Sequence, residues 1–120
     1  MPIPREMWLN GKVIPMAYSS TVFQEVAVMA SRYIKRKWFI ITGQVEELLK
    51  SNRDKAFTFS EIYHILALKN KFENPQLSVN LILLRLALEE LVSDDLVEAR
   101  YIVKKDGMKE IYYAWKAEDD

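Results

Sequence analysis

The 120-residue chain contains no cysteine, only three glycines and a single histidine. The absence of cysteine excludes disulfides and thiolate metal sites. The formal net charge is zero, which argues against a general nucleic-acid binder, because affinity for DNA comes largely from neutralising phosphates. No apolar run approaches the roughly 18 residues that span a bilayer, and the first residues lack the layout of a signal peptide. We therefore expect a cytoplasmic protein without a membrane contact.

Catalytic motifs are equally scarce. There is no thiol, no second histidine and no glycine-rich phosphate loop, so neither an enzymatic activity nor a cofactor is predicted. Glu61 and His64 lie one helical turn apart and could offer two metal ligands, but no further histidine or cysteine completes the set. An exposed or hydrogen-bonded histidine is the simpler interpretation, and no metal site is predicted.

The composition favours one compact soluble domain. Half of the residues are apolar and 28% are charged, which is typical of globular proteins. The charge is unevenly distributed, because residues 1–60 hold nine basic and five acidic side chains whereas residues 61–120 hold eight and twelve. Two segments concentrate the basic charge, one from Arg32 to Lys37 and one from Arg100 to Lys109.

The first part of the chain, residues 1–50, predicts a β-hairpin followed by a helical extension. Asn10 and Gly11 are typical of a tight primed turn between short apolar strands, here Met7–Leu9 and Lys12–Ile14. Apolar residues then recur at helical spacing from about residue 20 to residue 51. This pattern predicts one long bent helix or two helices that meet near Thr42 and Gly43.

The second part, residues 51–117, predicts a short strand, two helices and a β-hairpin. The strand covers Phe57–Phe59, and Ser60 can cap the first helix. After a turn over residues 70–76, the second helix begins at Leu77 or Ser78 and ends near Ser93. Residues 96–103 and 108–115 are predicted strands, joined by a turn at Asp106 and Gly107.

The second helix is apolar on all sides. An inner stripe is formed by Leu77, Leu81, Leu84, Leu88 and Leu91. The residues that project away from it, called here the outer stripe, are Val79, Ile82, Leu83 and Leu86. A helix apolar all round is normally buried, so we expect the amino-terminal helix, the amino-terminal hairpin or a partner subunit to cover the outer stripe. The alternative is a DNA-groove contact by the start of the helix alone, through Ser78, Asn80 and Arg85.

Two basic segments are candidates for binding phosphates. The carboxy-terminal hairpin carries Arg100, Lys104, Lys105 and Lys109, which could hold a DNA backbone or enter a minor groove; alternatively, they serve solubility and protect a sheet edge. The segment Arg32–Trp38 mixes basic and aromatic residues, a combination that can grip phosphates and stack on bases. We favour a simpler view in which Tyr33, Ile34 and Trp38 belong to the core and the charges face solvent.

Residues 57–115 resemble the winged helix-turn-helix superfamily, as found in small archaeal and bacterial transcription regulators. The matching features are the Phe57–Ile62 opening of the first helix, the Leu84–Val97 passage from the second helix into a strand, and the hairpin that closes with Ile111–Tyr113. The expected fold is α+β and mainly helical, a winged helix-turn-helix with an amino-terminal β-hairpin and a long helical extension. The resemblance implies a dimeric, sequence-specific protein that binds double-stranded DNA.

Two functional hypotheses follow. In the first, the chain is a DNA-binding transcription regulator whose amino-terminal hairpin and helix form a homodimer by burying Trp8, Phe23 and Val26. The start of the second helix would approach the groove, and the lysines of the carboxy-terminal hairpin would hold phosphates. In the second, the domain is a protein-interaction module or a subunit of a larger assembly, and the outer stripe is its contact surface.

Overall fold

The computed structural model describes residues 1–14, 32–68 and 78–116, and about half of these residues are helical. In chain order the elements are β1 (Ile3–Pro4), α1 (Arg5–Leu9), β2 (Lys12–Val13), α2 (Arg32–Ser51), β3 (Lys55–Ala56), α3 (Phe59–Ile65), α4 (Val79–Ser93), β4 (Val97–Val103) and β5 (Lys109–Trp115). Strands β1 and β3 form a two-stranded antiparallel sheet, and β2, β4 and β5 form a three-stranded antiparallel sheet in that order. The predicted compact α+β fold is confirmed.

Helix α4 lies at the centre of the hydrophobic core. It is rich in leucine, which favours helix, and Ser78 precedes it in an extended conformation as the N-cap residue. The chain leaves the helix at Asp94, and Asp95 then adopts a positive φ of 64°. The predicted end near Ser93 is confirmed, whereas the helix begins at Val79, one residue after the predicted Ser78. Its buried residues are Asn80, Leu83, Leu84, Leu86, Ala87, Leu88 and Leu91.

Helix α2 packs along α4 with one apolar face. Ile41, Val45 and Leu49 follow at intervals of four residues and are buried, which is the spacing of a single helix face. The helix runs without interruption through Gly43, and the Thr42 hydroxyl donates to the Trp38 carbonyl oxygen at 2.8 Å. The alternative of two helices meeting near Thr42 is therefore wrong. The predicted helical residues before Arg32 lie outside the described residues.

The start of helix α3 differs from its prediction by two residues. Thr58, not Ser60, is the N-cap, and it forms a reciprocal capping box with Glu61. The Thr58 hydroxyl accepts from the Glu61 amide at 3.1 Å, and the Glu61 carboxylate accepts from the Thr58 amide at 2.8 Å. Phe59 is consequently the first residue of the helix. The short strand predicted at Phe57–Phe59 is instead β3, which ends at Ala56.

The β4–β5 hairpin matches its prediction closely. The strands pair from Val97 with Trp115 to Val103 with Lys109. At the turn, Gly107 adopts a φ of 82°, and the Asp106 carboxylate accepts from the Met108 amide at 2.9 Å. Glycine tolerates this left-handed conformation and aspartate stabilises the turn, so the local sequence determines the hairpin.

The predicted amino-terminal hairpin is wrong. Residues Arg5–Leu9 form helix α1, and Asn10 has a φ of −80° instead of the positive value that a primed turn needs. Gly11 is needed for a different reason, because a Cβ at this position would lie 2.7 Å from the Tyr101 carbonyl oxygen. The chain comes this close to β4 because β2 pairs with residues Arg100 and Tyr101. A long-range pairing thus replaces the local one.

The β4–β5 hairpin is consequently packed on both faces. One face contributes Val97, Ala99, Tyr113 and Trp115 to the core formed with α2 and α4. On the opposite face, Tyr112 and Ala114 pack with Trp8 of α1 and Ala56 of β3 in a second, smaller cluster. The strand pairs β1–β3 and β2–β4 also cross the predicted boundary at residue 50. Within the described ranges, no helix combines the length and apolar character needed to cross a membrane.

Candidate nucleic-acid interface

The start of helix α4 is closed to a DNA groove. Ser78 and Asn80 are 2% and 6% exposed, and the Asn80 amide donates to the Leu68 carbonyl oxygen. A base edge would have to displace this buried hydrogen bond, and burying an unsatisfied polar group is unfavourable. The burial of Ser78 and Asn80 therefore argues against the predicted DNA contact of these two residues. Arg85 is exposed on the same helix, but no second groove-facing polar residue accompanies it.

The outer stripe of this helix is covered within the chain. Leu83 and Leu86 are buried, and the half-buried Val79 and Ile82 pack against the same core. The cover comes largely from α2, which lies along α4. The four residues are consequently not available as a contact surface for a partner protein, and the hypothesis that used them loses its motivating feature.

Trp8 is likewise an internal residue. Its side chain is 1% exposed, and its indole N–H donates to the Tyr112 carbonyl oxygen at 3.1 Å. The guanidinium groups of Arg5 and Arg100 lie over the ring, with Cζ at 5.2 and 4.7 Å from its centroid. Trp8 therefore anchors α1 to the β4–β5 hairpin, and its burial argues against the predicted role in a dimer interface. The other two predicted interface residues, Phe23 and Val26, lie outside the described residues.

The Arg100 side chain also joins the amino-terminal segment to the β4–β5 hairpin. Its Nη1 donates to the Leu9 carbonyl oxygen at 2.7 Å, and its Nε donates to the Glu98 carboxylate at 2.9 Å. With these acceptors, the Gly11 carbonyl oxygen at 3.4 Å and the Trp8 ring around it, the guanidinium joins the amino-terminal segment to β4. These contacts argue against the predicted role of Arg100 in binding a nucleic acid.

The three hairpin lysines do not form one cluster. Lys104 forms an ion pair with Glu110, and this hydrogen bond raises the pKa of the Lys104 ammonium. Lys105 is exposed in the turn. Lys109 lies on the other face of the hairpin, where its Nζ is 4.8 Å from the centroid of the Tyr101 ring. Alternation of side chains along a strand separates Lys109 from Glu110.

Lys109 belongs to a basic-aromatic patch that also includes Lys12 and Tyr101. Lys12 is the direct cross-strand partner of Tyr101, so their side chains emerge on the same face. On the same face, Ile111 lies opposite Tyr101, and Val103 lies opposite Lys109 towards the turn; both are apolar and exposed. No carboxylate of β4 or β5 therefore lies on this part of the face to neutralise the two lysines.

A surface groove of about 570 Å³ runs beside the basic-aromatic patch. It is lined by Met7, Asn10, Gly11, Lys12, Tyr101, Ile102, Val103 and Lys109. Sequence reasoning missed Lys12 and Tyr101, because the pairing of β2 with β4 joins residues almost 90 positions apart. The only local signal was the glycine next to Lys12, and its close approach to Tyr101 is visible in the structure alone.

The basic segment at the start of α2 is more exposed than predicted. Tyr33 is 70% exposed and lies 5.8 Å from the Lys37 ammonium, measured to the ring centroid. The expectation that Tyr33 belongs to the core is therefore wrong. Ile34 and Trp38 do pack against the core, as predicted.

The histidine and its neighbouring glutamate lie in different environments. His64 is exposed, whereas Glu61 is engaged in the capping box and receives the Met1 ammonium at 2.7 Å. Burial acts to raise the pKa of Glu61, but hydrogen bonds from the Met1 ammonium and from Thr58 outweigh it, and the pKa is lowered. Within residues 1–14, 32–68 and 78–116, no three histidine, aspartate or glutamate side chains converge as metal ligands would.

Comparison of the chain with protein-family models, with curated proteins and with solved structures finds no match.

Proposed function

We propose that this protein is a DNA-binding regulator of the winged-helix type that contacts duplex DNA through its β4–β5 hairpin. The observation that carries the proposal is the basic-aromatic patch, in which Lys12 and Lys109 flank Tyr101 without a neutralising carboxylate on either hairpin strand. Lys105 extends the positive surface to the exposed turn. In this proposal α4 is a structural helix, and the hairpin takes over the contact with DNA.

The chemistry of the patch suits a phosphate backbone. Each lysine is a compact positive charge that can pair with one phosphate oxygen, and the tyrosine adds an aromatic face and a hydroxyl group. A hairpin with a basic tip can also enter a minor groove. Such contacts carry little sequence information, and only a few phosphates would be neutralised. We therefore expect weak, salt-sensitive binding with affinity in the micromolar range, which is consistent with the zero net charge.

The order of elements supports the winged-helix assignment. Helices α3 and α4 are followed directly by the β4–β5 hairpin, which is the layout of a helix-turn-helix with one wing. In that layout the second helix normally enters the major groove, and here its polar start is buried. This departure is why the proposal assigns DNA contact to the hairpin and expects limited base discrimination.

The competing function, a protein-interaction module acting through the outer stripe, is not supported by the packing of α4. Its four apolar residues are covered by the chain's own core.

The test is a fluorescence-anisotropy titration of a random-sequence duplex at several salt concentrations. Lys12→Ala and Lys109→Ala should each weaken binding equally on all sequences and reduce the slope of log K against log salt by about 1. Lys104→Ala is the matched control, because it removes the same charge from the same hairpin at a position already paired with Glu110. The proposal fails if the duplex does not bind at low salt, or if the control variant lowers the slope as much as the patch variants.

A further inference from the structure

Helix α2 exposes large apolar side chains on the face that points away from the core. Phe39 is 79% exposed, Tyr33 is 70% exposed and Ile40 is 51% exposed, while Ile41 and Val45 on the inner face are buried. Single exposed apolar residues are ordinary, but several on one helix indicate a contact surface. This surface is on the opposite side of α2 from the helix that it packs against.

The centre of this surface is a regularly spaced row. Arg36, Ile40, Gly43 and Glu47 follow at intervals of four, three and four residues, which places them on one side of a helix. We call this row the α2 stripe. A Cβ on Gly43 would meet nothing within 4 Å, so the fold as described gives no steric reason for a glycine there. Because glycine weakens a helix interior, its presence suits a site where a second backbone approaches closely.

We propose that the α2 stripe is the interface of a homodimer in which the two α2 helices pack antiparallel. A two-fold axis between residues 41 and 42 would bring Arg36 of one chain opposite Glu47 of the second copy. The same axis brings each Ile40 beside the second copy's Gly43, where the missing side chain leaves room. Apolar contact at the centre is then framed by an opposite-charge pair at each end.

Charge complementarity selects this occupant and this orientation. In a parallel pairing, Arg36 would face Arg36 and Glu47 would face Glu47, and like charges repel. Among the described residues, neither of these two side chains forms an ion pair within its own chain. The antiparallel copy therefore satisfies both charges, and a closed two-fold contact of this type is the commonest symmetry of soluble oligomers.

The expected affinity is modest. One helix face per subunit buries less than the about 800 Å² per partner of a standard interface, so we expect dissociation in the micromolar range. The dimer is independent of the proposed DNA contact, because the β4–β5 hairpin contributes nothing to the α2 stripe. It can be tested in the absence of DNA.

The first experiment is sedimentation velocity of the full chain from about 1 to 300 µM, a range set by the expected affinity. The wild type should shift with concentration from its monomer mass of 14.1 kDa towards twice that mass. Arg36→Glu and Glu47→Arg should each raise the dissociation constant at least about tenfold, because each turns two attractive contacts of the dimer into repulsive ones. The double variant should restore the affinity to within about threefold, since it exchanges the charges and keeps the pairing.

Lys35→Glu provides the matched control, because it reverses the same charge on the same helix away from the α2 stripe. It should leave the dissociation constant unchanged. Circular dichroism melting of every variant checks that the helix is still folded. The proposal is overturned if the wild type stays monomeric at the highest concentration, or if a dimer persists equally in both single variants.

A second measurement uses the absence of native cysteine. A single Ile40→Cys variant lies close to the proposed axis and should form a disulfide-linked dimer on mild oxidation. Ser60→Cys, in an exposed position of α3, should remain monomeric under the same conditions. Cross-linking at Ser60 as fast as at Ile40 would show random collision and contradict the proposed interface.

Discussion

The two long helices α2 and α4 show opposite relations between sequence and exposure. Helix α4 is apolar on all sides, and the chain buries or half-buries every apolar residue in it, so its composition is explained by its own fold. Helix α2 has a clear polar face, yet Phe39 and Ile40 emerge from that face into solvent. The apolar residues of α4 therefore stabilise the folded monomer, whereas the exposed apolar residues of α2 point to a contact with another molecule.

The difference between the two helices can be tested by truncating one apolar side chain to alanine in each of them. Leu83→Ala in α4 should lower the free energy of unfolding by about 3 kcal/mol, because it leaves a cavity in a packed core. Ile40→Ala in α2 should change the free energy of unfolding by less than about 0.5 kcal/mol, because the side chain is half exposed and is not part of the hydrophobic core. Urea unfolding at low protein concentration measures both. A loss of similar size at Ile40 would mean that the two helices do not differ.

A substitution in the middle of α2 separates monomer stability from association. Gly43→Ala should stabilise the monomer by about 0.5–1 kcal/mol, because alanine favours a helix interior and its Cβ meets open space. The same methyl group should weaken the proposed dimer by holding the helices apart. Thermal melting of dilute protein and sedimentation of concentrated protein should therefore change in opposite directions. Two changes of the same sign would contradict the close approach at Gly43.

The smallest expected effect concerns the edge of α4 that faces α2. Burial, with a further contribution from Asp94, raises the pKa of Glu90 above its ordinary value of 4.5. A carboxyl group whose folded pKa exceeds its unfolded pKa lowers stability at neutral pH, and this penalty disappears as the pH falls below the unfolded value. Glu90→Gln should therefore stabilise the protein at pH 7 but not near pH 4. The gain should stay below about 0.5 kcal/mol, because solvent screens the partly exposed group.

Elements with local signals were predictable from the sequence. Periodic leucines gave the bounds of α4, and the aspartate–glycine pair gave the β4–β5 hairpin. The burial of the α4 outer stripe also followed from its composition. The element that covers this stripe was not predictable, because the sequence left three candidates open: the amino-terminal helix, the amino-terminal hairpin and a partner subunit.

The amino-terminal segment was mispredicted because a strong local signal competed with stronger distant contacts. Asn10 and Gly11 favour a primed turn, but Trp8 gains a buried site and a hydrogen bond to the Tyr112 carbonyl oxygen when α1 forms. Long-range contacts also explain why the sequence did not reveal the candidate site. Lys12 and Tyr101 meet only through a long-range strand pair. Asn80 is buried because its side-chain amide donates to the Leu68 carbonyl oxygen.

The attachment of residues 1–14 to the β4–β5 hairpin has a consequence for the order in which the protein can fold. Arg5 donates to the Trp115 carbonyl oxygen at 2.7 Å, across 110 positions of the sequence, and β2 pairs with β4. Closing so long a loop is slow relative to forming a helix. Helices α2 and α4 form through more local contacts, so we expect them to fold before Trp8 reaches its buried site. Docking of residues 1–14 onto the β4–β5 hairpin is then expected to be a late step of folding.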